Sequence, residues 1–276
     1  MSGPLILERQ WWTLQRFGFS PDTIWYRWTN QHEPIVLCNS LPKAGTHLLE
    51  RAVCLAPRLY RKLVPTIHEE NIYRWGSLDN LLVAMKPGQV LVTHLRYYPE
   101  RQVSIENHKV RSLFMIRDPR DIVVSQAFYI SREARHPRHA VFAEQPDVQN
   151  RIRLAITGHA PSGLESIGER LQAYAGWLTS GALVIRFEDL VGGSGGGSDT
   201  AQQNILDVLY QHLGIEMDPT TREVIQRQVF SSVSPTFRKG STGKWREYFD
   251  DVLTDLFKEV AGAQLVAYGY ESDLDW

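Results

Sequence analysis

The chain has 276 residues, 43% hydrophobic and 22% charged, enough to bury a substantial core in one large domain or two small ones. Its 30 basic and 31 acidic residues leave a net charge of −1, so bulk charge gives no reason to expect nucleic acid or an anionic membrane as partner. No apolar run approaches the length of a bilayer span. The start, Met1 to Leu7, lacks the basic residues and long apolar stretch of a secretory signal, so the expected setting is cytoplasmic.

In chain order, the first 32 residues gather Trp11, Trp12, Phe17, Phe19, Trp25, Tyr26 and Trp28. They read either as a segment packed over the main sheet or as a surface that docks a partner. Four short apolar, β-rich runs follow at 35–38, 90–93, 111–116 and 182–187, separated by helix-compatible sequence. That alternation marks βαβ units, and hence an α/β domain on a parallel sheet. Functional residues are then expected at the C-terminal ends of the strands. Cys38 in the first strand and Cys54 in the next helix read as buried, reduced thiols.

The first strand runs into Leu41-Pro42-Lys43-Ala44-Gly45-Thr46-His47-Leu48-Leu49. A helix N-terminus offers open N–H groups and the positive end of its dipole. A Gly that permits close approach, a Lys and a hydroxyl turn that end into an anion cradle. The plainer alternative is an ordinary βα turn with a surface lysine. It is not a Walker A loop, because Lys43 precedes Gly45 instead of following a second glycine.

The second run, Val90-Leu91-Val92-Thr93-His94-Leu95, puts His94 at a strand end, as a general base or as a satisfied structural histidine. The third run leads to Arg117-Asp118-Pro119-Arg120-Asp121-Ile122-Val123-Val124-Ser125. Pro119 suits the first turn of a helix. Arg117 suits a dianionic phosphate, or alternatively a salt bridge with Asp118 or Asp121.

Residues 129–165 contain Pro137, Pro146 and Pro161, mixed charge, and His136, His139 and His159. They read as a partly helical excursion, a lid over a site. The histidines lack metal-ligand spacing and read as solvated. The glycine-rich run 192–198 reads as a long flexible loop within one domain. Asp199 or Thr200 would then cap a helix through 202–213, with Gly214 ending it. Finally, Phe237-Arg238-Lys239-Gly240-Ser241-Thr242-Gly243-Lys244-Trp245 reads as a second anion clamp or as a solvated basic turn.

Together these motifs resemble the family of sulfotransferases that use PAPS (3′-phosphoadenosine 5′-phosphosulfate). The family's 5′-phosphosulfate loop is similar to 42–47, and its 3′-phosphate motif sets Arg and Ser eight positions apart, as are Arg117 and Ser125. Its R-K-G-x-x-G-x-W motif matches Arg238 through Trp245, and its catalytic His stands in a T-H-L context, as His94 does. The order of all four also matches. Arg186-Phe187-Glu188-Asp189-Leu190 resembles the family's Y-E-D-[LM] strand end. The chain departs from common members at His47-Leu48 and at Arg96-Tyr97-Tyr98, and no adenine-stacking Trp is evident.

The resemblance implies a P-loop-like three-layer fold, one domain over 1–276, with a central parallel sheet flanked by helices and a lid-like insertion. It implies transfer of sulfuryl from PAPS to an acceptor hydroxyl, with PAP as product and no metal. His94 and Lys43 would be catalytic. Lys43, Ala44, Gly45, Thr46, His47, Arg117, Ser125, Arg238, Lys239 and Gly240 would hold the nucleotide, and Phe230 would lie against its base. His68 and Glu69, between the first two main strands, are candidates for orienting the acceptor or for a solvated loop. The chain is also similar to sulfotransferase domains of bacterial polyketide synthases. That would make the acceptor the β-hydroxyl of an acyl chain on a carrier protein, with Arg132, Arg135 and Arg138 either facing the acidic carrier or forming a solvated face. A free small-molecule or lipid alcohol is the alternative acceptor. A P-loop-type kinase and a non-catalytic nucleotide-binding module are the competing function classes.

Overall fold

A computed structural model describes residues 3–19, 21, 23–25, 32–230 and 241–276. After helix α1 (Gly3–Arg16) come β1 (Val36–Ser40), α2 (Thr46–Cys54), β2 (Tyr60–Arg61), β3 (Ile67–His68), α3 (Leu78–Val83), β4 (Gln89–His94), α4 (Pro99–Asn107) and β5 (Arg111–Ile116). Then follow α5 (Pro119–Arg132), α6 (His139–Ala143), α7 (Val148–Thr157), α8 (Ile167–Tyr174), β6 (Leu183–Arg186), α9 (Phe187–Leu190), α10 (Asp199–Leu213), α11 (Pro219–Val229) and α12 (Asp251–Ala267). The sheet runs β2-β4-β1-β5-β6, every pairing parallel, and β3 joins the far end of β4 beyond β2.

Strand alternation sorts the core into two layers. Leu37, Leu91 and Phe114 face one side with α3, α5, α7, α8 and α12. Val36, Cys38, Val90, Val92, Leu113 and Met115 face the other with α2, α10 and α11. Both faces being covered explains why the strands read as continuous apolar runs. The expected three-layer α/β architecture is thus present, and the four expected strands are β1, β4, β5 and β6. Strands β2 and β3 carry only two residues each, too short for any periodic signal. Cys38 and Cys54 are free and buried, and burial pushes both thiols up.

The 129–165 excursion is woven into the first core. Phe142, Ile152, Ala155 and Ile156 are fully buried there, so its helices α6 and α7 form part of the layer over the sheet. Its histidines are tied down locally: His136 accepts the Arg138 N–H, His139 bonds the Ile130 carbonyl and His159 meets the Ser162 hydroxyl.

The glycine run is not a flexible loop. It forms a tight turn at Gly193–Gly195, where Gly197 donates to the Gly192 carbonyl at 2.9 Å. Ser198, not Asp199 or Thr200, caps α10, because Asp199 turns back to accept the Gly193 N–H at 2.7 Å. Gly214 ends α10 in the left-handed conformation, as expected. At the N-terminal segment, Trp12 lies under the Arg51 guanidinium while Trp11 points outward. Tyr26 and Trp28 lie outside the described residues.

Candidate active site

The turn between β1 and α2 consumes one donor in closing. Ala44 donates its N–H to the Leu41 carbonyl at 3.1 Å. Among the described residues the N–H groups of Gly45, Thr46 and His47 have no protein acceptor, at the positive end of α2. Of the expected cradle residues Ala44 to His47, Ala44 thus spends its N–H on the turn, while Gly45, Thr46 and His47 keep theirs open. Gly45 sits at φ 107°, and a Cβ there would come within 2.5 Å of the Phe187 ring. Lys43 takes φ 74°, uncommon for a residue with a Cβ. Its ammonium stands 3.8 Å from the centre of the Tyr129 ring on α5.

Beneath the turn, Glu50 on α2 is buried and binds Arg16 of α1 and Arg61 of β2, with His47 at 3.5 Å. Burial would raise this carboxyl, but the His47 contact and the two guanidiniums win and hold it at about 2. His47 is thus partly committed to Glu50.

His94 ends β4 beside the turn. Its Nδ1 lies 2.8 Å from the Ser40 carbonyl, an acceptor only, so Nδ1 carries the proton and Nε2 keeps its lone pair. The Ser40 hydroxyl sits 3.3 Å from the same nitrogen and 2.6 Å from the Thr46 hydroxyl. Burial, chiefly, pushes His94 down to about 3. The Ser40 carbonyl opposes that, while His68, His47 and Lys43 reinforce it. The imidazole is therefore neutral at physiological pH, as a base must be. Its backbone is held from both sides: the Tyr174 hydroxyl donates to its carbonyl at 2.9 Å, and the Asn39 amide bridges both polar groups of Leu95.

A second part of the candidate site lies across the start of α5. Arg117 reaches the Lys43 carbonyl at 3.4 Å with one nitrogen and the Ser241 carbonyl at 3.2 Å with the other, over the Phe187 ring. Asp121 is fully buried, 3.6 Å from Arg117, and accepts the N–H groups of Gly243 and Trp245, each at 2.9 Å. Thr242 in turn docks on the carbonyls of Gly195 and Gly196. Arg120 lies between the rings of Trp245 and Trp276 and pairs with Asp118 and Glu271. Where Arg117 meets Ser241, two buried polar atoms, Arg117 Nε and Ser241 Oγ, have no hydrogen-bond partner among the described residues.

Ser125 lies about 9 Å along α5 from its start, at 1.5 Å per residue, and is partly exposed. His68 pairs with His94 in the β3–β4 register, with ring centroids 4.8 Å apart. Glu69 is occupied structurally: it accepts the Arg96 N–H at 2.7 Å and both nitrogens of Arg101. Phe230 follows α11 and packs against the second core. Arg238, Lys239 and Gly240 lie outside the described residues. Sequence reading passed over Asn39, Ser40 and Tyr129, and weighed Asp121 only as a partner of Arg117. Among the described residues no group of three or more His, Cys, Asp or Glu could hold a metal, and no helix is long and apolar enough to cross a membrane.

No family model matches the chain. Among solved structures it is similar to mouse sulfotransferase SULT7A1 complexed with PAP, with a TM-score of 0.63 and 18% identity over 93% of this chain and 94% of that one. The chain has the sulfotransferase fold. Retinol dehydratase in complex with retinol and PAP shares that fold at a TM-score of 0.57 and 16% identity, with 94% of each chain covered. In sequence, this sulfotransferase-fold chain is 22% identical to 3-alpha-hydroxysteroid sulfotransferase of Cavia porcellus over 259 residues, 82% of each protein. It is 21% identical to sulfotransferase 2A6 of Rattus norvegicus, over 91% of this chain and 92% of that one.

Proposed function

We propose that this chain is a sulfotransferase that moves the sulfuryl group of PAPS to an acceptor hydroxyl. One observation carries the reading: a single guanidinium, Arg117, touches both anion-binding loops, at Lys43 and at Ser241. A ligand anionic at two ends fits such a site, and PAPS carries a 5′-phosphosulfate and a 3′-phosphate. The solved relatives' complexes with PAP and the names of the sequence relatives support it.

In this reading His94 Nε2 takes the acceptor proton as the acceptor oxygen bonds to sulfur. The bond from sulfur to the 5′-phosphate oxygen breaks, and its electrons leave with PAP. Lys43 and the N–H groups of Gly45, Thr46 and His47 meet the charge that grows on that oxygen. Arg117 and Ser125, with Arg238, Lys239 and Gly240 from the motif, hold the 3′-phosphate, and Phe230 flanks the base.

For the acceptor, the resemblance to polyketide synthase domains points to a β-hydroxyacyl chain on a carrier protein. The sequence relatives favour a second reading, a free alcohol: one is named a hydroxysteroid sulfotransferase, and a structural relative binds retinol. The deciding assay offers PAPS, or ATP with Mg²⁺, together with free alcohols and a β-hydroxyacyl carrier protein. Sulfated product from PAPS alone, undiminished by EDTA, is expected. Phosphorylated product from ATP would replace this reading with a kinase.

A further inference from the structure

His68 is set apart from the other histidines. His94, His108, His139, His159 and His212 each have a ring nitrogen bonded to a protein group. Among the described residues, only His68 and the exposed His32 have rings without such a bond. The His68 ring is half-buried, where a polar side chain normally finds a protein partner.

Its surroundings are built to hold it. The His68 N–H is bound by Asn71 Oδ1 at 2.8 Å, and Asn71 reaches back to the Thr66 carbonyl at 2.9 Å. On the other side, Glu69 is clamped by Arg101 and by the Arg96 N–H. Strand β3 consists of Ile67 and His68 alone, and it pairs His68 directly opposite His94. Directly opposed residues of neighbouring strands point to the same face, so both imidazoles stand on one face at the end of β4.

We propose that His68 is a specificity-determining residue that hydrogen-bonds a second oxygen of the acceptor while His94 engages the reacting hydroxyl. This rests on the sulfotransferase reading above and adds the chemical class of the acceptor. Two rings with centroids 4.8 Å apart, each reaching a partner at about 2.7–3.2 Å, suit oxygens on adjacent or alternate carbons. The favoured acceptors are 1,2- or 1,3-oxygenated alcohols, such as diols and 3-hydroxy carbonyl compounds. Burial pushes His68 down, so it is neutral near pH 7 and can donate or accept one hydrogen bond.

The test compares a plain secondary alcohol with a 3-hydroxy ester and a 1,3-diol of the same chain length, all with PAPS. The His68→Phe variant keeps a ring against His94 but loses both nitrogens. The PAP-induced rise in melting temperature reports its folding. The native chain is expected to prefer the oxygenated acceptors about tenfold in kcat/KM, and His68→Phe to erase that preference through the acceptor KM. His68→Asn, which restores a polar group, should recover part of it. A preference unchanged in His68→Phe, or absent from the native chain, overturns the proposal while leaving the sulfotransferase reading intact. Failure to sulfate any acceptor, a β-hydroxyacyl carrier protein included, overturns both.

Discussion

The two loops proposed to bind the anionic ends of PAPS are built in opposite ways. The β1–α2 turn is local: nine consecutive residues supply its bend, its lysine and its open N–H groups, and its internal hydrogen bonds span three or four positions. The second region is assembled from distant pieces. Asp121 and Arg117 on one segment, Gly195 and Gly196 on another, and Ser241 to Trp245 on a third meet only in the folded chain. A local site stands or falls with its own backbone conformation. An assembled one depends on the side chain that fastens it. The two loops should therefore fail differently when cut.

The largest effect is expected at His94, beside the β1–α2 turn. His94→Ala should lower turnover by about 10²–10⁴-fold, the usual worth of a general base, with PAP still binding. Loss of PAP binding, read by calorimetry, would mean that the imidazole props up the turn through Ser40. The native pH profile checks the same residue. A histidine at about 3 stays deprotonated as pH falls through 6.5, so kcat/KM should hold its plateau well below pH 6 with no limb at the ordinary histidine value. The accompanying sign for stability is fixed: the unfolded chain protonates this histidine first, so its neutral burial costs stability as pH drops from about 6.5 toward 3.

Next comes the local loop. Gly45→Ala introduces a Cβ 2.5 Å from Phe187 at a left-handed φ. It should abolish measurable PAP binding and lower the melting temperature as well, because Leu41 and Ala44 of the turn sit in the first core and Phe187 in the second. Asp121→Asn probes the assembled loop and should act on one end of the ligand. The amide loses one of the two acceptors that hold Gly243 and Trp245, so the Ser241 turn loosens around Arg117. Affinity for PAP should fall about tenfold, and affinity for 5′-AMP, which lacks the 3′-phosphate, much less. Equal losses for both nucleotides would mean that Asp121 stabilises the fold without shaping the 3′ end.

The same contrast explains what was legible in the sequence. The sheet could be read because β1, β4 and β5 are buried on both faces and so written as apolar runs. The first loop could be read because its parts are consecutive. Asp121 was invisible as a fastener, since it looks like any first-turn carboxylate and its N–H partners lie more than a hundred residues away. The glycine run misled for a related reason. Composition suggested slack, whereas Gly197 lies where a Cβ would meet the Glu188 carbonyl at 2.5 Å, and the turn supplies carbonyls to Thr242. His68 was singled out by its position between strands, but its pairing with His94 rests on a two-residue strand that no pattern announces.

The smallest expected effect asks how far the local loop is self-sufficient. Lys43 owes its direction partly to its own φ of 74° and partly to the Tyr129 ring, 3.8 Å from its ammonium. A cation over a partly exposed ring contributes about 0.5–1 kcal/mol, so Tyr129→Leu should lower kcat/KM for PAPS by about two- to fivefold. Tyr129→Phe keeps the ring face and should match the native chain. Both variants leave Ser125, one helical turn earlier, in place, so the difference between them isolates the ring. If Leu and Phe behave alike, the Tyr129 ring does not position Lys43. If they separate, even the most local part of this site draws its last increment of order from the helix that also carries Asp121.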